Sequence, residues 1–132
     1  MPFLPVRLPP GVDLRRALDD LAAEQASASA FVVAGIGSLV EARLRYAGEA
    51  AETRIEGPLE ILSLSGSLGA GGSHLHMAVS DAAGRVYGGH VGRGNVVRTT
   101  AEVLLAPLPD WSLARTHDPA TGFSELVVRP RG

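Results

Sequence analysis

Three histidines and the turn between them carry most of the chemistry that this sequence offers. In Ser73-His-Leu-His-Met-Ala-Val-Ser80, His74, His76, Ala78 and Ser80 alternate with Leu75, Met77 and Val79. Alternation of this kind belongs to a strand, so the two imidazoles project from one face about 7 Å apart at Cα. The opposite face is wholly apolar and reads as core. Asp81-Ala-Ala-Gly-Arg85 fits a three-residue hairpin loop with Gly84 in the left-handed position. With Asp81 paired to Arg85, His76 stands opposite His90, Ala78 opposite Gly88 and Val79 opposite Tyr87. Directly paired residues share a face, with Cβ atoms about 4.5–5.5 Å apart. His74, His76 and His90 therefore converge, and Gly88 and Gly89 are expected to leave the space above them open. A slip of one residue would turn His90 away, so the turn decides the site.

Three converging imidazoles suit a divalent transition metal, zinc foremost, with nickel and iron as chemical alternatives. Three protein ligands leave one position open, as catalytic zinc sites do. The plainer alternative is a set of hydrogen-bonded surface histidines near a sheet edge. Glu60 and Glu102 each sit among apolar residues. Either is a candidate fourth ligand, partner of a ligand or general base, or is simply paired with an arginine. His117 lies apart, in a segment expected to be a solvated loop. Gly35-Ile-Gly37 and Gly69-Ala-Gly-Gly72 complete no nucleotide fingerprint, and Ser63, Ser65 and Ser67 fall outside any G-x-S-x-G elbow.

The composition narrows the classes further. The absence of cysteine removes thiolate metal sites, CxxC redox motifs and cysteine nucleophiles. All twelve basic residues are arginine, against fourteen carboxylates and a formal charge of −2. Without lysine there is neither Schiff-base chemistry on the chain nor a P-loop. The arginines are scattered, with Arg15–Arg16 the only adjacent pair, which disfavours direct nucleic-acid binding. Arg129-Pro-Arg-Gly132 lacks the R-G-R-P order of an AT-hook. Neither a secretory signal nor a membrane-length apolar run is found, so a cytoplasmic protein without membrane contact is expected.

The elements that must position the histidines are short. Residues 1–132 read as one domain, with 45% hydrophobic residues and many Gly and Pro turn signals. Phe3–Leu8 reads as an edge strand and Asp13–Gln25 as the one amphipathic helix, near the N-terminus. Ala30–Ser38 is expected to be a buried strand and Leu39–Tyr46 a half-exposed one. Residues 48–56 read as a hairpin or loop. Further strands are expected at Pro58–Leu68, Ser73–Ser80, Arg85–Val91, Ala101–Leu108, Trp111–Thr116 and Phe123–Arg129. The class is α+β with a largely antiparallel sheet.

Several of these segments also resemble a known family. Gly57-Pro-Leu-Glu-Ile-Leu-Ser-Leu-Ser-Gly66 is similar to the G-x-F-E-I-L-S-L-S-G signature of the plants and prokaryotes conserved (PPC) domain. Val33-Ala-Gly-Ile-Gly-Ser38, Gly72-Ser-His-Leu-His76, Tyr87-Gly-Gly-His90 and Thr121-Gly-Phe-Ser-Glu-Leu126 match its prokaryotic branch in the same order. The resemblance implies a compact α+β homotrimer and zinc ligation by His74, His76 and His90. It also implies a DNA-associated or regulatory binding module that works with protein partners. A remoter similarity to acetolactate decarboxylase implies the alternative, a zinc-dependent lyase or hydrolase acting on a small molecule. Whether the chain is an enzyme stays open at this point.

Overall fold

The computed structural model describes residues 2–132. Strand β1 (Leu4–Leu8) is followed by helix α1 (Leu14–Ala23), and β2 (Ala30–Arg45) and β3 (Thr53–Leu68) are long strands. Then come β4 (His74–Ser80), β5 (Val86–Val91), β6 (Val96–Pro107), β7 (Trp111–Asp118) and β8 (Phe123–Pro130). The α+β class, with one helix near the N-terminus and antiparallel pairing throughout, is as the sequence implies.

Six strands form one sheet in the order β1-β6-β2-β3-β4-β5, and β7 and β8 form a separate ribbon. The sheet does not stay open. The end of β2 also pairs with β5, through Leu44↔Val91 and Arg45↔His90, so β2, β3, β4 and β5 close a circuit. Gly89 makes this closure possible. A Cβ there would stand 2.8 Å from the Arg45 carbonyl oxygen, inside any ordinary contact distance. Its role is thus to let β5 approach β2, rather than to clear space above the histidines.

One face of the sheet carries the core, where Leu39, Leu44, Leu59, Leu64, Leu68, Leu75, Val79, Val97 and Leu105 are fully buried with Leu14 and Leu18 of α1. Each such side chain contributes about 1.5–3 kcal/mol relative to exposure. Helix α1 starts where Asp13 caps it, Oδ1 accepting from Arg16 N at 3.2 Å and Oδ2 from Gly94 N at 2.7 Å. Buried Asn95 ties the same corner to β2: its Oδ1 accepts from Arg43 N, and its Nδ2 donates to the carbonyls of Arg43 and Gly92.

Three expectations change. The segments 30–38 and 39–46 form one sixteen-residue strand, bent by register shifts rather than broken. Strands β3 and β6 each begin five residues earlier than expected, because residues 53–56 still pair with residues 41–44, and Val96 and Val97 pair with Glu41 and Leu39. The stretch Ala30–Ser38 is also not buried on both sides: Phe31, Val33 and Ile36 face outward, joined by Val40 and by Leu62 of β3. Ile36 is 56% exposed although it lies on a central strand.

Candidate metal centre

The hairpin that carries the histidines is built as its turn residues require. Asp81 N donates to the Arg85 carbonyl at 2.9 Å, Gly84 has φ +79°, and Asp81 Oδ1 accepts from Ala83 N and Arg85 N, each at 2.9 Å. The register that follows pairs His76 with His90, Ala78 with Gly88 and Val79 with Tyr87. Leu75, Met77 and Val79 are buried on the far face, while His74, His76 and His90 are partly or fully exposed on the near one.

A row of paired residues thus crosses four strands: Ser65 on β3, His76 on β4, His90 on β5 and Arg45 on β2. In the neighbouring row, Ser67 pairs with His74. Arg115 reaches over from β7, its Nη2 donating to Ser67 Oγ at 3.0 Å.

Within this frame the rings meet nitrogen to nitrogen. Nε2 of His76 lies 3.1 Å from Nε2 of His74 and 3.2 Å from Nδ1 of His90. Ligating nitrogens of all three lie within 4.8 Å of one another. An ion about 2.0–2.1 Å from each nitrogen of a tetrahedral site separates them by about 3.3–3.4 Å, close to the two short distances. Hydrogen bonding accounts for the cluster less well. Nε2 of His76 carries at most one hydrogen, yet it faces two ring nitrogens at once. A cation among three lone pairs satisfies all of them, so the donor set fits a divalent metal.

The surroundings favour neutral, ligating imidazoles. His74 is held below its ordinary pKa by burial, then by the charges of Arg115, His76 and His90, with Glu125 opposing. His90 is lowered by burial, then by Arg45 and His76.

His74 and His90 line a cleft of about 840 Å³ together with Arg15, Arg45, Glu49, Glu52, Arg115, Phe123 and Glu125, among others. Glu60 and Glu102 are not part of it. Glu60 is exposed and pairs with Ser80, four residues along β4 from His76. Glu102 is exposed on β6, between Arg7 and Ile36 in the ladder, and accepts from Thr100 Oγ1 at 3.4 Å. The carboxylates that line the cleft are Glu49, Glu52 and Glu125 instead, because the β2–β3 turn and the β7–β8 ribbon fold over this end of the sheet. His117 lies on β7 rather than in a loop, exposed and opposite Ser124.

Arg15 is the positioning residue that spacing alone did not reveal. From α1 its Nε donates to Ser73 Oγ at 3.0 Å, its Nη1 to the Val91 carbonyl at 3.1 Å and its Nη2 to the Ser73 carbonyl at 3.4 Å. Ser73 precedes His74 and Val91 follows His90, so one guanidinium ties together the backbones that present both rings. A smaller cavity of about 340 Å³, between the N-terminal strand and residues 25–27, has no titratable side chain among the described residues that line it.

The Plants and Prokaryotes Conserved (PCC) domain matches residues 2–109. The chain belongs to this family. Two solved structures superpose closely on it. A hypothetical protein from Salmonella enterica is 37% identical with a TM-score of 0.93, the alignment covering 98% of this chain and 94% of that one. A metal-containing protein from Archaeoglobus fulgidus is 27% identical with a TM-score of 0.83, over 96% and 94% of the two chains. Among curated relatives, the bifunctional protein GlmU of a Synechococcus strain is 45% identical over 126 residues. The match takes in 96% of this PCC chain but spans only 20% of GlmU.

Proposed function

We propose that this PCC protein binds one divalent metal ion, zinc, through His74, His76 and His90, and offers the open coordination position to a small molecule in the adjoining cleft. The observation that carries this is the pair of nitrogen separations, 3.1 and 3.2 Å, centred on one atom of His76. The description of the Archaeoglobus relative as metal-containing supports it. An all-imidazole donor set with no thiol disfavours soft metals such as copper(I), and three protein ligands with one open position are the arrangement of catalytic zinc. When bound, zinc would supply Lewis acidity. Arg15 holds the ligands in place, and Glu125, which lines the same cleft, is the carboxylate this reading assigns to proton transfer.

The surface favours a small molecule over a duplex. A formal charge of −2 with dispersed arginines gives no basic face for multiple phosphates, so any association with DNA passes through protein partners. In this proposal the working form is a cytoplasmic homotrimer. Phe31, Val33, Ile36, Val40 and Leu62 leave an apolar stripe on central strands, as an interface between copies requires.

Metal analysis of the purified full chain tests the central claim. About one zinc per chain is expected, because each chain supplies one complete three-ligand set. His76→Ala should lose most of it and keep its far-ultraviolet circular dichroism, since its neighbours Leu75 and Met77 still face the core. Full zinc retention in that variant would remove His76, and with it the site.

A further inference from the structure

The three arginines of the cleft divide into two kinds. Arg15 directs its donors to Ser73 and Val91 and is occupied by the framework. Arg45 and Arg115 are not. Among the described residues each makes a single side-chain hydrogen bond, Arg45 Nη1 to the Glu49 carbonyl at 3.1 Å and Arg115 Nη2 to Ser67 Oγ at 3.0 Å. A guanidinium has five N–H donors, so most of theirs remain free. The ion pairs among the described residues involve other arginines, Arg43, Arg54 and Arg85.

Arg45 is placed by the ladder, and Arg115 by its hydrogen bond from β7 to the sheet. Arg45 is the direct strand partner of His90, and Arg115 is bonded to Ser67, the direct partner of His74. The two arginines are thus associated with different histidines, Arg45 with His90 at one end of the row and Arg115 with His74 at the other, and each charge acts on that imidazole. Formal charges from Arg15, Arg45 and Arg115 cancel those of Glu49, Glu52 and Glu125, so a divalent ion leaves the cleft at about +2. A cleft of that charge, with free planar donors on two sides, selects an oxygen anion.

We infer that Arg45 and Arg115 form a two-sided clamp for the oxyanion of a small molecule, a carboxylate or a phosphate group, bound beside the three histidines. This rests on the metal reading proposed above and names the ligand class of the same site.

The test uses the full chain loaded with cobalt(II), whose visible spectrum reports on the metal's surroundings without any assay of turnover. Acetate and inorganic phosphate are titrated separately, so that the stronger response tells a carboxylic acid from a phosphorylated ligand. A saturable spectral change is expected for at least one of them. Arg45→Met and Arg115→Met should each raise its dissociation constant about tenfold or more while cobalt stays bound. Arg54→Met, outside the cleft and paired with Glu41, should leave it unchanged. Cobalt uptake with no response to either anion, or with equal affinity in the variants, overturns the clamp alone. Failure to take up cobalt overturns the metal reading and the clamp with it.

Discussion

The adjacent residues Arg15 and Arg16 offer a controlled test of how the helix supports the histidines. Replacing Arg15 by Leu removes two well-placed hydrogen bonds, at 3.0 and 3.1 Å, and a longer one at 3.4 Å. The acceptors on buried Ser73 and Val91 then lose their partner. An unsatisfied buried acceptor costs about 1–3 kcal/mol, and water reaching in from the cleft relieves part of that. A loss of about 2–4 kcal/mol is therefore expected, which for a domain of this size lowers Tm by roughly 8–15 °C. Zinc affinity should fall about 10–100-fold, the range seen when groups that orient metal ligands are removed. Arg16 is exposed and its guanidinium makes no hydrogen bond among the described residues, so Arg16→Leu should stay within about 0.5 kcal/mol and keep its affinity. Thermal unfolding of the metal-free chain and a chelator competition for zinc read the two effects separately. Equal zinc affinity in both variants would refute the coupling between α1 and the ligands, whatever the change in Tm.

Three other outcomes follow from the same geometry. Gly66 has φ +148°, and a Cβ there would lie against the His74 carbonyl, whereas Gly72 has φ +109° and open space. Gly66→Ala should thus destabilise by about 2–4 kcal/mol, from overpacking and backbone strain together, and Gly72→Ala by about 1–2 kcal/mol, both read by denaturant unfolding. For pH, the folded chain holds His74 and His90 below 6.5, so between those lowered values and 6.5 the unfolded chain binds more protons. Stability of the metal-free protein should be level in this respect above pH 6.5 and decline as pH falls through that window, with zinc affinity falling alongside it. Light scattering should give about 41 kDa, three times the chain mass of 13.7 kDa, and Ile36→Asp should shift the mass towards that of a single chain.

The local parts of the site were legible because strand periodicity and turn chemistry are local. Asp81 and Gly84 define the loop, the loop defines the register, and the register places His90 beside His76. Helix α1 was legible for the same reason, its buried Leu14, Leu18 and Ala22 following a 3.6-residue period. What the sequence withheld depends on closure of the sheet. No spacing connects residue 45 to residue 90, because that pairing arises only when β5 curls back to the end of β2. Nor does spacing bring Arg115 or Glu125 to the triad, although Thr121–Leu126 was among the segments that resemble the family. Glu60 and Glu102 are carboxylates in runs that are apolar in sequence. Those runs are two-faced strands, and both side chains lie on exposed positions away from the cleft.

The two faces of β4 explain why a site can sit here at little expense to the fold. Leu75, Met77 and Val79 anchor the strand in the core, so its packing does not require an ion at His74 and His76, and binding there only adds to its stability. The same division makes the ligand geometry rigid, since a ring on a strand fixed by core packing and by ladders on both sides has little room to drift. What remains adjustable lies on the rim, in the 46–52 turn and the β7–β8 ribbon, which carry Glu52, Arg115, Phe123 and Glu125. A two-stranded ribbon is marginal alone, and this one is tied down by Arg115 to Ser67 and by Leu113 N donating to Ser29 Oγ at 2.9 Å. Ligand preference is thus expected to vary through the ribbon and the turn, while metal binding is held constant by β4 and β5. Exchanging Phe123, 72% exposed at the mouth of the cleft, for Ala should alter anion affinity without altering zinc affinity. Parallel loss of both would mean that rim and metal centre are one unit rather than two.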